Sequence, residues 1–322
     1  MFTEASRTRT GWPLTREAVQ IGAGLLVIYV VWGSVFVAVR YVVEAAPALL
    51  SIGVRYVVAG LLLAAYVAAR HGRVKLRAPR SALLGCVALA MLLQVLTNGT
   101  VTWAESIGVQ AGPAALLSAL APIAIVMLRL GTGDRPQTVT WVGVLAGFVG
   151  LAVLLLGGRS VPGFPLWPSV LVVASAGCWA VGSFLQPRLQ LPENTFATTA
   201  YQLLAGGLVL TLAGVLAGEQ WTFHLPLGTW LVLAYLTLAS VAAYTTFVWL
   251  LAHAPISLVS THAYVNPVVA VLLGWVWLSE PITWPVVVGG AVVLVAVGLV
   301  MAERRRSRDE SRDDPREEPP VT

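Results

Sequence analysis

The sequence predicts an all-α membrane protein, with ten transmembrane helices arranged as two inverted five-helix repeats. Three observations predict it. The chain is 57% hydrophobic and only 11% charged, whereas a soluble domain carries about 25% charged residues; so little polar surface makes the bilayer its solvent. Apolar runs of roughly 20 residues, the length that crosses the hydrocarbon core, recur along the chain. The second half repeats the first, and an odd number of spans per half turns the second copy upside down.

The apolar runs place spans near 21–40, 48–69, 82–103, 109–129, 138–156, 167–187, 196–217, 228–251, 256–278 and 282–301. Residues 1–20 read as a cytoplasmic N-terminal segment, 21–157 and 167–301 as the two repeats, and 302–322 as a disordered cytoplasmic tail. That tail alternates basic and acidic residues, ends in prolines and has too little apolar surface for a core. The first apolar run is long for a signal peptide, and many spans follow it.

An even number of spans puts both termini on one side. All 20 Lys+Arg except Arg40, Arg55 and Arg159 fall on that side or in the tails. Positive charge at span ends stays cytoplasmic, so both termini are expected inside, in a cytoplasmic (inner or plasma) membrane. The net charge of +5 needs no nucleic acid, because the basic residues follow topology. Cys86 and Cys178 lie in apolar runs and form neither a disulfide framework nor a metal spacing. No cofactor motif is present.

The repeat is visible residue by residue. Arg55 to Gly60 matches Tyr201 to Gly206, and Ala119 to Pro122 matches Tyr264 to Pro267. Asp134 precedes Gly143 as Glu280 precedes Gly289, and Gly33-Ser34 recurs as Gly182-Ser183. The offsets stay within 145–149 residues.

Polar side chains on lipid-embedded helices turn inward, so polar stripes mark candidate cavity walls. Gln94, Asn98, Thr102 and Glu105 share a face of the third span, and Ser175, Trp179, Gly182, Ser183 and Gln186 a face of the sixth. Thr237, Ser240 and Tyr244 do so in the eighth, and Ser257, Ser260, Thr261 and Tyr264 in the ninth, with His262 and Asn266 on a neighbouring face. Arg55 lies about 8 residues, or about 12 Å, inside its span. A charge at that depth costs at least about 2–3 kcal/mol and marks a functional site by default. Its partner is either an anionic solute group or a structural carboxylate, Glu44 or Glu105. Glu105 reads as a proton-coupling group or a solvated loop carboxylate. His262, which titrates near neutrality when unperturbed, reads as a second proton site or a buried neutral histidine. Trp32, Trp179, Tyr244 and Tyr264 supply aromatic faces for amphipathic or cationic solutes. Pro122 and Pro267 hold equivalent mid-helix positions, and paired helix breaks point to a carrier site.

These residues also resemble a known family. Trp32-Gly33-Ser34-Val35-Phe36 with Arg40, then Arg55 with Ala59-Gly60 and the run Ala114 to Pro122, resembles an EamA domain of the drug/metabolite transporter superfamily. Trp179 with Gly182-Ser183, then Ala263 to Gly274 followed by Glu280, resembles the second copy. Asn98-Gly99 followed by Ala104-Glu105 is similar to a subgroup of bacterial inner-membrane exporters. The resemblance implies ten helices in two inverted halves, alternating access and export of small metabolites or drugs. Asp134 departs from the glutamate the family motif often carries.

The expected function is a secondary carrier exporting small metabolites, amino-acid-like solutes or drugs, with protons as a candidate coupling ion. Gly-x-x-x-Gly spacing, as at Gly143–Gly147, permits a homodimer. An intramembrane enzyme would need a nucleophile–base pair or metal ligands, and a channel would need charged rings or a carbonyl filter; the chain carries no motif for either.

Overall fold

The computed structural model describes residues 16–130, 138–157, 165–221, 224–254, 259 and 261–312. These are helical and connecting segments, with no strand among the described residues. The helices are α1 (Arg16–Val43), α2 (Ala48–Arg70), α3 (Arg80–Ser106), α4 (Ala111–Ser118), α5 (Ala121–Leu130), α6 (Thr138–Gly157), α7 (Leu166–Leu185), α8 (Thr195–Leu216), α9 (Leu227–His253), α10 (His262–Leu278) and α11 (Trp284–Arg312). Six of them, α1, α2, α3, α7, α8 and α9, contain stretches long and apolar enough to cross a membrane. Four shorter apolar stretches lie at Ala111–Ile125, Trp141–Val153, Val265–Leu278 and Trp284–Ala296.

Local chemistry sets several ends. Pro47 stands just before α2, where a missing N–H costs nothing. The carboxylate of Glu219, arriving from the turn after α8, accepts from Leu49 N (3.1 Å) and Leu50 N (2.8 Å). Glu280, after α10, does the same for α4, accepting from Ala111 N (2.8 Å) and Gly112 N (3.2 Å). Both satisfy first-turn donors that a helix leaves open, and both set a negative charge at a positive dipole end. Asn194 caps α8 by accepting from Ala197 N at 3.1 Å.

Two helices depart from regular α geometry. The middle of α3, Met91–Gly99, is a π-helix. Thr97 Oγ1 donates to the carbonyl of Leu92 (2.7 Å) and Asn98 Nδ2 to that of Leu93 (2.6 Å), each five residues back. The fourth apolar run stops at Ser118, turns at Ala119 and Leu120, and restarts as α5. Pro122 occupies the second position of the restarted helix. Pro267 instead lies inside the continuous helix α10. At the chain's end, α11 runs on to Arg312, past the boundary expected near residue 301. The spacings Arg305/Asp309 and Arg306/Glu310 suit a helix. Residues 313–322 of the expected tail lie outside the described residues, as do residues 1–15, Asp134 and Arg159.

The helices pack in a pattern that the halves share. α2 lies on α8, and α6 on α11; α1 packs on α9 and α10, while α7 packs on α3, α4 and α5; α8 packs on α3, and α2 on α9. The α2–α8 contact is antiparallel and very close. A Cβ at Gly53 would lie 2.5 Å from Thr211 N, one at Gly207 2.6 Å from Val57 N, and one at Gly60 3.0 Å from Ala200 O. The α6–α11 contact is antiparallel too, with Gly147 opposite Ala296 and Gly150 opposite Val293. Gly147 therefore serves packing within the chain. Leu61, Leu145, Phe148, Leu212, Leu231, Leu238 and Trp277 stay exposed on the outside, as side chains facing lipid do.

Candidate solute site

An aromatic cluster built from both halves lies inside the bundle. Trp32 of α1 is its hub. Its ring centroid lies 5.7 Å from Trp179 (α7), 5.9 Å from Tyr244 and 4.9 Å from Phe247 (both α9), and 4.9 Å from His262 (α10). Tyr56 of α2 meets Tyr244 edge-on at 6.2 Å. Such edge-on pairs are favourable because the positive rim of one ring meets the negative face of the next. The close approach of α1 to α10 rests on Gly33, where a Cβ would sit 2.6 Å from Val269 Cβ. Gly182, its repeat equivalent, brings α7 onto α3, where a Cβ would sit 2.5 Å from Leu93 Cδ2. The two repeated glycines thus let α1 approach α10 and α7 approach α3 closely.

A polar row runs along α3 beside the aromatic rings. Asn98 Nδ2 donates to the Tyr244 hydroxyl at 2.8 Å, and the hydroxyls of Tyr56 and Tyr244 stand 3.5 Å apart. Gln94 is fully buried with neither amide atom hydrogen-bonded. It packs against Gly206 of α8. The guanidinium of Arg55 stands over the Tyr56 ring at 5.0 Å from its centroid.

The structure brings together Trp32, Arg55, Asn98, Trp179, Tyr244 and His262 around this cluster. Asn266 plays a more local part. With its amide nitrogen turned to the backbone, it donates to the carbonyls of His262 (3.1 Å) and Tyr29 (3.3 Å), tying α10 to α1. A Tyr29–Thr261 hydroxyl contact joins the same two helices. The side chain of Tyr264 lies outside the described residues, as do Ser257 and Ser260.

Glu105 is fully buried at the end of α3, and neither carboxylate oxygen has a hydrogen-bond partner. Arg40 reaches the same place but engages other groups. Its Nη2 pairs with Glu44 Oε1 at 3.1 Å, and its Nη1 donates to the backbone carbonyl of Glu105 at 2.5 Å. Glu44 is therefore the partner of Arg40, four residues earlier on the same face, and not of Arg55. No group of three His, Cys, Asp or Glu side chains stands close enough to hold a metal among the described residues.

Comparison with known proteins agrees with this architecture. The profile of the EamA-like transporter family matches residues 20–156 and again 166–302. The chain belongs to the EamA-like transporter family. It is 34% identical over 289 residues to the "Uncharacterized inner membrane transporter YedA" of Escherichia coli (strain K12), covering 88% of this chain and 92% of that protein. It is 26% identical over 225 residues to the "Threonine/homoserine exporter RhtA" of the same strain, covering 68% of this chain and 74% of that one. A solved crystal structure, 20% identical, shares the fold with a TM-score of 0.64 over 90% of this chain and 99% of the other. The family and the apolar helices mark a multi-pass inner-membrane transporter.

Three residues of the site were not singled out from the sequence. Phe247 sits three residues after Tyr244, on the same helix face, a spacing that could have flagged it. Tyr56 follows Arg55 directly, and its aromatic role was hidden beside the charge. Gln202 of α8 is buried with an unpartnered Nε2; it sits in the repeat match of Arg55 to Gly60.

Proposed function

We propose that this chain is a secondary carrier that moves small amphipathic solutes out of the cell by alternating access. The observation that carries this reading is the aromatic cluster to which both family repeats contribute: Trp32, Tyr56 and Asn98 from the first, Trp179, Tyr244, Phe247 and His262 from the second. A site shared by two halves changes its accessibility when one half rocks against the other.

The same reading has ten spans in two inverted halves, residues 21–157 and 167–301, with both termini cytoplasmic. The antiparallel contact of α2 with α8, helices that the repeat makes equivalent, supports the inversion. So does the packing pattern, in which exchanging the halves maps α1 on α9 onto α7 on α3. Trp32, Arg55 and the other aromatic residues engage the solute, and the break before Pro122 gives α4 and α5 independent movement. Glu105 and His262 are the candidate proton-coupling groups. The name of the relative RhtA favours amino-acid-like cargo over bulky drugs.

Counterflow in proteoliposomes tests the carrier reading. Saturable exchange of a labelled solute, driven by unlabelled solute on the opposite side, is the expected result; linear, unsaturated flux would place the protein among channels. If Glu105→Gln and His262→Ala both leave transport equally responsive to a pH gradient, the proton-coupling roles are wrong.

A further inference from the structure

The connections after α2 and after α8 are repeat equivalents with opposite chemistry. Both turn on a glycine at positive φ, Gly72 (81°) and Gly218 (79°), one repeat offset apart. The next residue is Arg73 in the first copy and Glu219 in the second. Glu219 folds back and accepts from Leu49 N and Leu50 N of α2. A guanidinium has no acceptor, so Arg73 cannot do the same for α8, and Asn194 caps that helix instead. Arg73 is left exposed on a short 3₁₀ turn, Arg73–Leu76. Arg70, Lys75, Arg77 and Arg80 are exposed around it. From Ala45 to Ala104 the sequence has no acidic residue. Among the described residues the ion pair within 4.0 Å is Arg40–Glu44. Glu193, on the connection that leads into α8, is exposed and pairs with none of the five among those residues.

The turn is tied down on one side only. Tyr201 of α8 donates its hydroxyl to the Leu76 carbonyl, and Leu76 is half-buried while Arg73, Val74, Lys75 and Arg77 are exposed. Val74, between Arg73 and Lys75, is 70% exposed. An apolar side chain held out among cations suits the boundary between headgroups and acyl chains better than water. Tyr66, His71 and Phe196 form a ring group beside the turn, with Tyr66 5.2 Å and His71 6.0 Å from Phe196. Tyrosines gather at that depth of a bilayer. Along α2 runs an exposed apolar row at four-residue spacing, Val54, Val58, Leu62 and Tyr66, which ends at Arg70. Residues four apart lie on one helix face, so the row is a track for an acyl chain with a cation at its foot.

We propose that this end of α2, with the turn that follows it, binds an anionic phospholipid, its acyl chain along Val58, Leu62 and Tyr66 and its phosphate on Arg70 and Arg73. Lys75, Arg77 and Arg80 add attraction from the flank. Guanidinium grips phosphate in a two-pronged geometry, and basic side chains beside a span attract anionic headgroups. The lipid site does not depend on the carrier reading.

The test titrates the full chain in detergent micelles with dioleoyl phosphatidylglycerol or dioleoyl phosphatidylcholine. Native mass spectrometry counts the lipids bound, and thermal shift reads their effect on the fold. Wild type should hold phosphatidylglycerol at least about tenfold more tightly than phosphatidylcholine, at about fivefold for each basic side chain engaged. Arg70→Gln with Arg73→Gln should lose about tenfold or more of that preference. Arg70→Lys with Arg73→Lys should stay closer to wild type than to the glutamine pair, because the charge is kept. Lys75→Gln with Arg77→Gln, on the flank, should cost less than the Arg70 and Arg73 pair. If the glutamine pair fails to fold, the single variants Arg70→Gln and Arg73→Gln, at about fivefold loss each, decide. Equal binding of the two lipids by wild type overturns the proposal. So do equal losses from the two glutamine pairs, which would mark a diffuse field in place of a site. If millimolar inorganic phosphate raises the thermal midpoint as much as phosphatidylglycerol does, the free anion is recognised and the lipid site falls.

Discussion

The backbone-to-backbone contact of α2 with α8 makes a sharp prediction about Gly53. A Cβ at that position would lie 2.5 Å from Thr211 N and 2.9 Å from Thr211 Cα. Both are backbone atoms, so no rotamer change can give way. Restoring an ordinary contact of 3.4 Å moves α2 from α8 by roughly 1 Å, and overpacking of this kind costs about 1–3 kcal/mol. The alanine regains about 0.8–1 kcal/mol of helix propensity, leaving a net loss of roughly 0–2 kcal/mol from these two terms. Gly177 in α7 is the control, because a Cβ there meets nothing within 4 Å. Gly177→Ala should therefore gain about 0.8–1 kcal/mol by propensity alone. Thermal denaturation of purified protein, followed by size-exclusion fluorescence, measures both. The two substitutions should shift the midpoint in opposite directions. A Gly53→Ala protein as stable as Gly177→Ala would refute the α2–α8 contact as described.

Three further expectations follow from the site and its supports. Trp32→Ala should weaken solute binding by about tenfold or more, and Trp32→Phe by much less, because a ring still meets Trp179, Tyr244 and Phe247; fluorescence titration distinguishes them. Asn98→Leu strands the Tyr244 hydroxyl and should cost about 1–3 kcal/mol of stability, while adding Tyr244→Phe should recover part of it, since removing both partners is cheaper than removing one. Burial, with Glu44 adding to it, raises the Glu280 carboxyl above its ordinary 4.5 despite the Ala111 and Gly112 bonds and Arg40. A raised folded value means its stabilising contribution is full below 4.5 and is lost as pH rises through the raised value. The stability of wild type relative to Glu280→Gln, followed by thermal denaturation across a pH series, should therefore fall as pH rises above 4.5.

Much of the framework could be read from the sequence because lipid imposes simple rules. Apolar runs located the helical segments, and Arg55 to Gly60 against Tyr201 to Gly206 located the pair α2 and α8 that pack on each other. Trp32, Trp179 and Tyr244 stand out in the sequence together with Tyr264, as aromatic faces that suit an amphipathic or cationic solute. What the sequence did not disclose depends on register and distance. A π-helix at Met91–Gly99 adds one residue per hydrogen-bonded turn, and no spacing pattern in the sequence announced it. The α4–α5 break falls at Ala119–Leu120, ahead of Pro122, because proline is well accommodated in a first turn and poorly inside a helix. Arg55 offered two carboxylates as structural partners, but Arg40 lies one turn from Glu44 and takes it first.

The clamp between α2 and α8 also constrains how the chain is made. About 125 residues separate the end of α2 from the start of α8, so at roughly 5–20 residues per second α2 waits on the order of 6–25 s for its clamp during synthesis. Until then the groove at Gly53 and Gly60 has no occupant. A lone guanidinium must meanwhile be tolerated in the nascent first half, at about 2.5–3.5 kcal/mol on insertion scales. Ribosome pausing between residues 71 and 194 would lengthen the interval before α2 meets α8.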